Sequence, residues 1–202
     1  MKTLYVLAGC NGAGKTTVAY FILPEILQCK EFVNADEIAK GLSPFQPDKA
    51  LYAAGKILLK RIDEFIERGI DFAIETTLSA IYYREIIKKA QDNGYYVNLI
   101  FFWLKNTELA KERVRLRVSE GGHSVPDDVV ERRYHKGLVN FFDTFMPLCD
   151  NVMLFDNSAT TPKLVMSKTK GREPEIIDIE TVNLIKTSYV RKRTSKVETC
   201  NS

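Results

Sequence analysis

Short apolar runs alternate along this chain with longer segments whose apolar residues recur every three or four positions. The apolar runs predict strands at residues 4–8, 31–36, 72–76, 96–104 and 151–155. Uninterrupted apolar strands are typical of a parallel sheet covered on both faces. Two further weak strands are expected at residues 164–167 and 175–178.

The segments between the strands have the apolar period of helices. They predict helices from residue 15 to about 28, then at 48–68, 82–93, 107–119 and 127–149. This alternation predicts an α/β fold: a parallel sheet of about five strands with helices on both faces. We expect one domain over residues 1–202, with a core at about 3–160, peripheral elements at 161–190 and a polar tail at 191–202.

A glycine-rich segment directly follows the first predicted strand. Residues 9–16 read Gly-Cys-Asn-Gly-Ala-Gly-Lys-Thr and match the phosphate-binding pattern G-x-x-x-x-G-K-[ST], and a predicted helix follows them. In this arrangement backbone N–H groups surround phosphate oxygens, Lys15 reaches the β- and γ-phosphates, and the Thr16 hydroxyl holds Mg²⁺. Together with the alternation of strands and helices, this loop predicts a P-loop NTPase-like fold. The sequence therefore predicts binding of ATP and Mg²⁺ through Gly9, Asn11, Gly12, Ala13, Gly14, Lys15, Thr16 and Thr17, with Thr16 as the metal ligand.

Two carboxylates lie near the ends of predicted strands, where ligands gather in a parallel sheet. Asp36 ends the second strand and could accept a proton from an acceptor hydroxyl, although it could also be a helix cap or a surface acid. Glu75 ends a buried strand, where an unpaired charge is costly, so it needs a partner unless it faces water. We expect both residues, together with Asp156 after the fifth strand, on the rim that carries residues 9–16.

Several arginines could stabilise the charge of a transferring phosphoryl group. On the helix at residues 107–119, Arg113 and Arg117 follow one edge of the apolar stripe, while Lys111 and Arg115 follow the other. Any one of these cations could simply be solvated, but we expect the set to include a catalytic member. Arg132 and Arg133 form a second cationic pair further along the chain.

Residues 121–122, both glycines, suit a lid that closes over a bound nucleotide, because neither carries a β-carbon. His123 lies directly after them and is expected to be a hydrogen-bonding residue of that lid, in contact with the substrate.

Composition excludes few classes of protein. The chain has 29 Lys and Arg against 26 Asp and Glu, so its overall charge gives no reason to expect a nucleic-acid or membrane partner. No apolar run approaches the roughly 20 residues that a membrane span needs. The cysteines at 10, 29, 149 and 200 share no metal-type spacing, and one lies inside the phosphate loop, which favours a reducing, cytoplasmic location.

The motifs together resemble those of the zeta-toxin family of P-loop kinases, in its short branch described as predicted ABC-type ATPases. The resemblance covers about residues 3–160. It rests on residues 9–17, 34–36, 75–77, the Arg113 and Arg117 helix, 121–126, 132–134 and 156–158.

The resemblance implies a function and a set of residue roles. Zeta toxins phosphorylate the 3′-hydroxyl of the amino sugar in UDP-N-acetylglucosamine, and a small helical antitoxin covers their nucleotide site. By this likeness, Lys15 would be catalytic and Asp36 the catalytic base, and Glu75 and Thr77 would contact the sugar nucleotide. The phosphate-contacting arginines would come from Arg113, Arg117, Arg132 and Arg133.

The chain departs from the toxin pattern at two places. It has Asn34-Ala35-Asp36 where the pattern has Asp-x-Asp, and Glu75-Thr76-Thr77 where the pattern has Glu-Gly-Thr. The additional methyl and hydroxyl groups of Thr76 would change the acceptor pocket, so an acceptor other than a UDP-sugar is open. Two other functions also remain open: a polynucleotide or tRNA kinase, and an ATP-binding regulatory module with little turnover.

Overall fold

The computed structural model describes residues 1–122 and 124–198, with side chains described as far as residue 190. This part of the chain contains seven strands in a single sheet of order β2-β3-β1-β4-β5-β6-β7. They are β1 (Lys2–Ala8), β2 (Glu31–Val33), β3 (Phe72–Thr76), β4 (Tyr95–Trp103), β5 (Asn151–Asp156), β6 (Lys163–Thr169) and β7 (Glu175–Ile176).

The α/β fold predicted from the sequence is confirmed, but the count of about five strands is wrong. The first five strands pair in parallel, whereas β6 and β7 add to the β5 edge in antiparallel orientation. Apolar periodicity identifies a strand but not the strand with which it pairs. The sequence therefore did not show that the two short strands near the carboxyl terminus join the same sheet.

The helices alternate with the parallel strands. They are α1 (Lys15–Phe21), α2 (Ala35–Leu42), α3 (Pro47–Arg68), α4 (Tyr83–Asp92), α5 (Thr107–Ser119), α6 (Asp127–Asn140), α7 (Met146–Leu148) and α8 (Ile179–Glu198), with π-helical turns at Ile22–Ile26 and Phe141–Phe145. None of the described helices is both long enough and apolar enough to span a membrane.

The central strands are covered on both faces. Leu4, Val6, Leu7 and Ala8 of β1 are fully buried, and consecutive side chains of a strand point to opposite faces. The last five residues of β4 are likewise all buried. Burial on both sides explains why these strands read as continuous apolar runs rather than as alternating ones.

One element was missed between β2 and α3. The second strand ends at Val33 rather than at Asp36, and Asn34 is the N-cap of α2, with its side chain accepting hydrogen bonds from the backbone N–H groups of Asp36 and Glu37. Asp36 therefore lies in the first turn of a helix. Its helical neighbours form only two turns, which is short for recognition from periodicity alone.

The carboxyl-terminal segment that was expected as a polar tail is partly helical, since α8 continues through residues 191–198. Residues 199–202 lie outside the described part of the chain.

Helix α6 lies against the turn that follows β3. The Asn140 side-chain amide donates to the Leu78 carbonyl at 2.7 Å, and Leu78 is buried with a φ of +53°. A β-carbon at Gly137 would lie 2.4 Å from the Thr77 carbonyl oxygen. The backbone of α6 therefore approaches this turn as closely as a glycine allows.

We expect Gly137→Ala to lower the free energy of unfolding by about 1–3 kcal/mol, since the backbone that the new methyl group meets cannot rotate away. Gly55→Ala is the matched control, because Gly55 is also helical but a β-carbon there meets nothing within 4 Å. That control should raise stability by about 0.5–1 kcal/mol. Urea titration of both variants makes the comparison, and equal changes would contradict the close approach of α6.

Candidate functional site

The glycine-rich segment forms the loop between β1 and α1, as its sequence predicts. Gly12 has a φ of +79°, and a β-carbon there would lie 2.6 Å from the Ala110 carbonyl oxygen of α5. The loop therefore packs directly against α5. This contact restricts Gly12 to glycine on two grounds, its left-handed backbone and the lack of space.

Lys15 lies at the base of this loop and is 6% exposed. Its Nζ donates to the Cys10 carbonyl at 3.0 Å and lies 3.5 Å from Oε1 of Glu75. Burial raises the pKa of the Cys10 thiol to about 11, although the nearby Lys15 charge acts in the opposite direction. The thiol in the loop is therefore neutral at neutral pH.

Glu75 joins the phosphate loop to the start of α2. Its Oε2 accepts hydrogen bonds from the Thr16 hydroxyl at 2.7 Å and from the Asn34 side-chain amide at 2.8 Å, while Oε1 faces Lys15. The Glu75 side chain is only 10% exposed. It thus has the partners that a carboxylate at a buried strand end requires, and it does not simply face water.

A cavity of about 760 Å³ opens along the carboxyl ends of the parallel strands. This volume falls within the range of roughly 300–1,000 Å³ that is typical of small-molecule sites. Of the predicted site residues, the cavity wall includes Asn11, Gly12, Gly14, Lys15, Thr16, Thr17, Asp36, Glu75, Thr77, Arg113 and Arg117. The rim location predicted for Asp36 and Glu75 is therefore what the structure has.

The strand order gives the cavity two chemically different sides, with the phosphate loop between them. On the side of β2 and β3 the wall carries carboxylates and hydroxyl groups, from Asp36, Glu75, Thr76, Thr77, Ser79 and Tyr83. From α5 and α6 it carries guanidinium groups, of Arg113, Arg117 and Arg133, together with the Glu120 carboxylate at the end of α5. One side can thus receive an acceptor hydroxyl while the other side holds polyanionic phosphates.

Asp36 is exposed on the acidic side of the cavity. Its backbone N–H is held by the Asn34 side chain at 2.8 Å, and the same side chain is bound to Glu75. A continuous set of hydrogen bonds therefore runs from Thr16 through Glu75 and Asn34 to the turn that carries Asp36. The Asp36 carboxylate itself remains accessible from the cavity.

Arg113 is fixed by the loop that follows β5. Its guanidinium donates to the carbonyl oxygens of Asn157 at 2.8 Å and of Ser158 and Ala159 at 3.2 Å each. The Asn157 side chain, in turn, donates to the Ala13 carbonyl of the phosphate loop at 2.8 Å. This loop therefore ties Arg113 to the phosphate loop, a role for Asn157 that sequence reasoning missed. Asp156 is not on the cavity wall and instead accepts from Ser158.

The structure separates the predicted arginines. Arg117 lies on the cavity wall, and Arg133 also lies there, with its guanidinium donating to the Asn11 side chain at 3.2 Å. Arg132 is exposed and is not on the wall, because successive residues of a helix point about 100° apart. Of this pair, Arg133 rather than Arg132 therefore lies at the site.

The opposite edge of α5 has another use. Lys111 pairs with Glu131, and Arg115 pairs with Asp127, so that these two cations bind α5 to α6. Of these four cations, Arg113 and Arg117 line the cavity.

Tyr83 is a cavity residue that the sequence analysis did not identify. It begins α4 and lies near Asp36 and Glu75, and burial raises the pKa of its hydroxyl group while a hydrogen bond with Thr76 acts in the opposite direction. Its position within an ordinary amphipathic helix gave no sequence signal. The nearby Thr77 hydroxyl is within hydrogen-bond distance of Ser79 at 2.8 Å.

His123, the predicted lid residue, lies outside the described part of the chain. Its neighbours Gly121, Gly122 and Ser124 line a second cavity of about 400 Å³, together with residues of the loop between α2 and α3.

The residues at the phosphate loop fit a magnesium ion that accompanies ATP. Mg²⁺ binds hard oxygen ligands, usually one or two from the protein with the rest from phosphates and water. The Thr16 hydroxyl and the Glu75 carboxylate supply such oxygens 2.7 Å apart, beside the Lys15 ammonium group.

Comparison with known proteins places these features in a family. The Zeta toxin family model matches residues 49–163 of the chain. An uncharacterized protein of Haemophilus influenzae is 32% identical over 126 residues, which span 62% of this chain and 88% of that protein.

The fold is shared with solved structures. A chain of the AvrRxo1-ORF1:AvrRxo1-ORF2 complex, solved with sulphate ions, superposes with a TM-score of 0.74 and 20% identity over 92% of this chain, and the same complex solved with ATP gives 0.71 and 21%. This chain spans 63% of the length of that protein. A chain of the PezAT toxin-antitoxin system of Streptococcus pneumoniae gives a TM-score of 0.63 at 14% identity, covering 95% of this chain and 87% of its own.

The matched segment includes Glu75 and the cavity arginines, whereas the phosphate loop and Asp36 precede it. Geometry supplies the missing connection, because hydrogen bonds join Thr16 and Asn34 to Glu75. Family match, fold and phosphate loop agree, and the chain belongs to the Zeta toxin family of P-loop kinases.

Proposed function

We propose that this protein transfers the γ-phosphoryl group of ATP to a hydroxyl group of a small molecule, with Asp36 as the general base. The observation that carries the proposal is the hydrogen-bonded connection from Thr16 through Glu75 and Asn34 to the turn of Asp36, on the wall of one cavity. It joins a phosphate-binding loop to an accessible carboxylate, the two parts that phosphoryl transfer to an alcohol requires.

The reaction begins with both substrates in the cavity. The acceptor hydroxyl lies on the β2 and β3 side, loses its proton to the Asp36 carboxylate and attacks the γ-phosphorus. The bond from that phosphorus to the bridging oxygen breaks, and ADP leaves. Holding the two reactants in one cavity lowers the entropic cost of their encounter.

Cations on the other side stabilise the charge that develops during transfer. Lys15 contacts the β- and γ-phosphates once they replace the Cys10 carbonyl as its partner, and Arg113, Arg117 and Arg133 face the same cavity. Arg113 and Arg133 are held by partners in the described structure, so they are oriented before the nucleotide arrives.

Thr16 and Glu75 would hold the magnesium ion that accompanies ATP. When bound, that ion neutralises part of the phosphate charge. The resemblance assigned Glu75 to acceptor contact. Its carboxylate oxygens instead face Lys15, Thr16 and Asn34, which supports a role in orienting the phosphate-binding groups.

The family suggests UDP-N-acetylglucosamine as the first acceptor to test. On the acceptor side, Thr76 has its hydroxyl engaged by the Leu78 backbone N–H at 3.0 Å, and Thr77, Ser79 and Tyr83 supply further hydroxyl groups. This wall suits an acceptor rich in hydroxyl groups. Its shape differs from that expected in the toxins, because Thr76 stands where the toxin pattern has a glycine.

The test is an incubation of the protein with ATP, Mg²⁺ and either UDP-N-acetylglucosamine or a metabolite extract, followed by mass spectrometry for products that gain a phosphoryl group. A product formed by the wild type but not by Lys15→Ala supports the proposal. Transfer only to nucleic acid, or ATP binding with no transfer to any acceptor, would reject it.

Family membership also supports regulation by a small protein antitoxin that covers the cavity. Leu51 and Leu116 lie on the cavity wall yet are 44% and 60% exposed, so a protein that covered the opening would bury apolar surface.

Growth arrest on expression of the wild type, and not of Asp36→Asn, is the expected sign of an activity that needs such control.

A further inference from the structure

The Asn34 side chain uses both ends of its amide. Its Oδ1 accepts from the backbone N–H groups of Asp36 at 2.8 Å and Glu37 at 3.4 Å, which caps α2. Its Nδ2 donates to Oε2 of Glu75 at 2.8 Å. The residue is 8% exposed, so water cannot readily replace these partners.

An amide is the side chain that this position needs. Aspartate caps a helix as well as asparagine does, so the cap alone does not select between them. A carboxylate oxygen placed 2.8 Å from the Glu75 carboxylate would instead bring two like charges together in a largely buried site. In this chain Asn34 therefore supplies a donor to Glu75 at the position where the toxin pattern has the first Asp of Asp-x-Asp.

Glu75 is fixed from the other side as well. The Thr16 hydroxyl donates to the same Oε2 at 2.7 Å, and Lys15 lies 3.5 Å from Oε1. Asn34 is thus a hydrogen-bond partner of Glu75 that also binds the backbone of the Asp36 turn. Its amide links the start of α2 to the carboxylate that accepts from Thr16 of the phosphate loop.

We propose that Asn34 is a positioning residue that sets the distance between Asp36 and the phosphate loop through the neutral hydrogen bond it donates to Glu75. The inference rests on the proposed role of Asp36 as base. It adds that Glu75 positions Asp36 through the Asn34 amide. Loss of this donor should therefore impair transfer while the phosphate loop stays intact.

Asn34→Asp is the decisive variant, because it keeps the helix cap but replaces the donor to Glu75 with a like charge. At pH 8 we expect kcat for phosphoryl transfer to fall by about tenfold to a hundredfold, as misplacement of a catalytic group can produce, with little change in KM for ATP. Asn34→Ser keeps a capping oxygen without adding charge, and it should show a similar loss of kcat.

Melting at a single pH distinguishes this role from simple capping. Asn34→Asp keeps the cap but places a carboxylate oxygen where the amide now donates to Glu75 at 2.8 Å, so two like charges meet in a largely buried site. Its melting temperature should therefore fall below that of Asn34→Ser, which adds no charge.

Asn106→Asp is the matched control. Asn106 caps α5 by accepting from the Leu109 N–H at 2.8 Å, and it is exposed and not on the cavity wall. It should match the wild type in melting temperature and in transfer.

Two results are separable. If Asn34→Asp behaves like Asn106→Asp in both melting and transfer, the positioning role is wrong even though the kinase proposal stands. If the wild type transfers no phosphate, the proposed function fails. The melting series then still reports whether a donor to Glu75 is required, since it needs neither ATP nor acceptor.

Discussion

Lys15→Ala should reduce phosphoryl transfer by roughly 10²–10³-fold or more, the loss expected when a preorganised charge at the reacting phosphate is removed. Lys15 is buried at the base of the phosphate loop, where its ammonium group contacts the Cys10 carbonyl and Glu75. Without it, the β- and γ-phosphates would lose the cation that lies 3.5 Å from the Glu75 carboxylate. ATP affinity should therefore fall together with turnover, and calorimetric titration of ATP measures this directly.

The control for Lys15→Ala is Lys60→Ala. Lys60 is exposed on α3 and is not on the cavity wall, so the same truncation removes an equal charge without touching the site. Nucleotide binding and transfer should stay at wild-type levels. Equal ATP affinity in Lys15→Ala and Lys60→Ala would contradict the placement of phosphates at this loop.

Asp36→Asn should lower kcat by about 10²–10⁴-fold, the contribution usual for a general base. The cap of α2 depends on the backbone N–H of Asp36 and not on its carboxylate, so the fold should be unaffected. ATP binding should also persist, because the phosphate loop is unchanged. The expected result is therefore a protein that binds nucleotide but transfers phosphate poorly.

Glu37→Gln provides the comparison for Asp36→Asn. Both acids are exposed in the first turn of α2, but only Asp36 is on the cavity wall. Single-turnover transfer with saturating ATP should separate them clearly. Equal rates in the two variants would show that Asp36 is not the base, whereas equal ATP affinities are expected in either case.

Local patterns predicted most of the core. Strands β1, β3 and β5 were predicted to within two residues at each end, since each is a short apolar run with a clear break after it. Helix α2 was missed because it has only two turns, too few for its apolar period to be recognised, and because it begins directly after β2. The orientation of β6 and β7 depends on pairing with distant strands, which periodicity does not encode.

The site was predicted unevenly for the same reason. Thr16 and Glu75 are 59 positions apart, yet their side chains are hydrogen-bonded, and nothing local to either indicates this. Adjacent arginines at 132 and 133 look alike in sequence, but the direction of α6 brings only Arg133 to the cavity. Tyr83 came to the wall through the packing of α4, without any motif.

The amino-acid sequence by itself determined the phosphate loop and the alternation of strands and helices, because both arise from interactions among near neighbours along the chain. The tertiary structure alone decided which side chains share a hydrogen bond at the site: Glu75 with Thr16 and Asn34, and Asn157 with the loop carbonyl of Ala13 from 144 positions away. Those partners meet only after parallel strands align their carboxyl ends, because strand pairing sets which distant residues become adjacent.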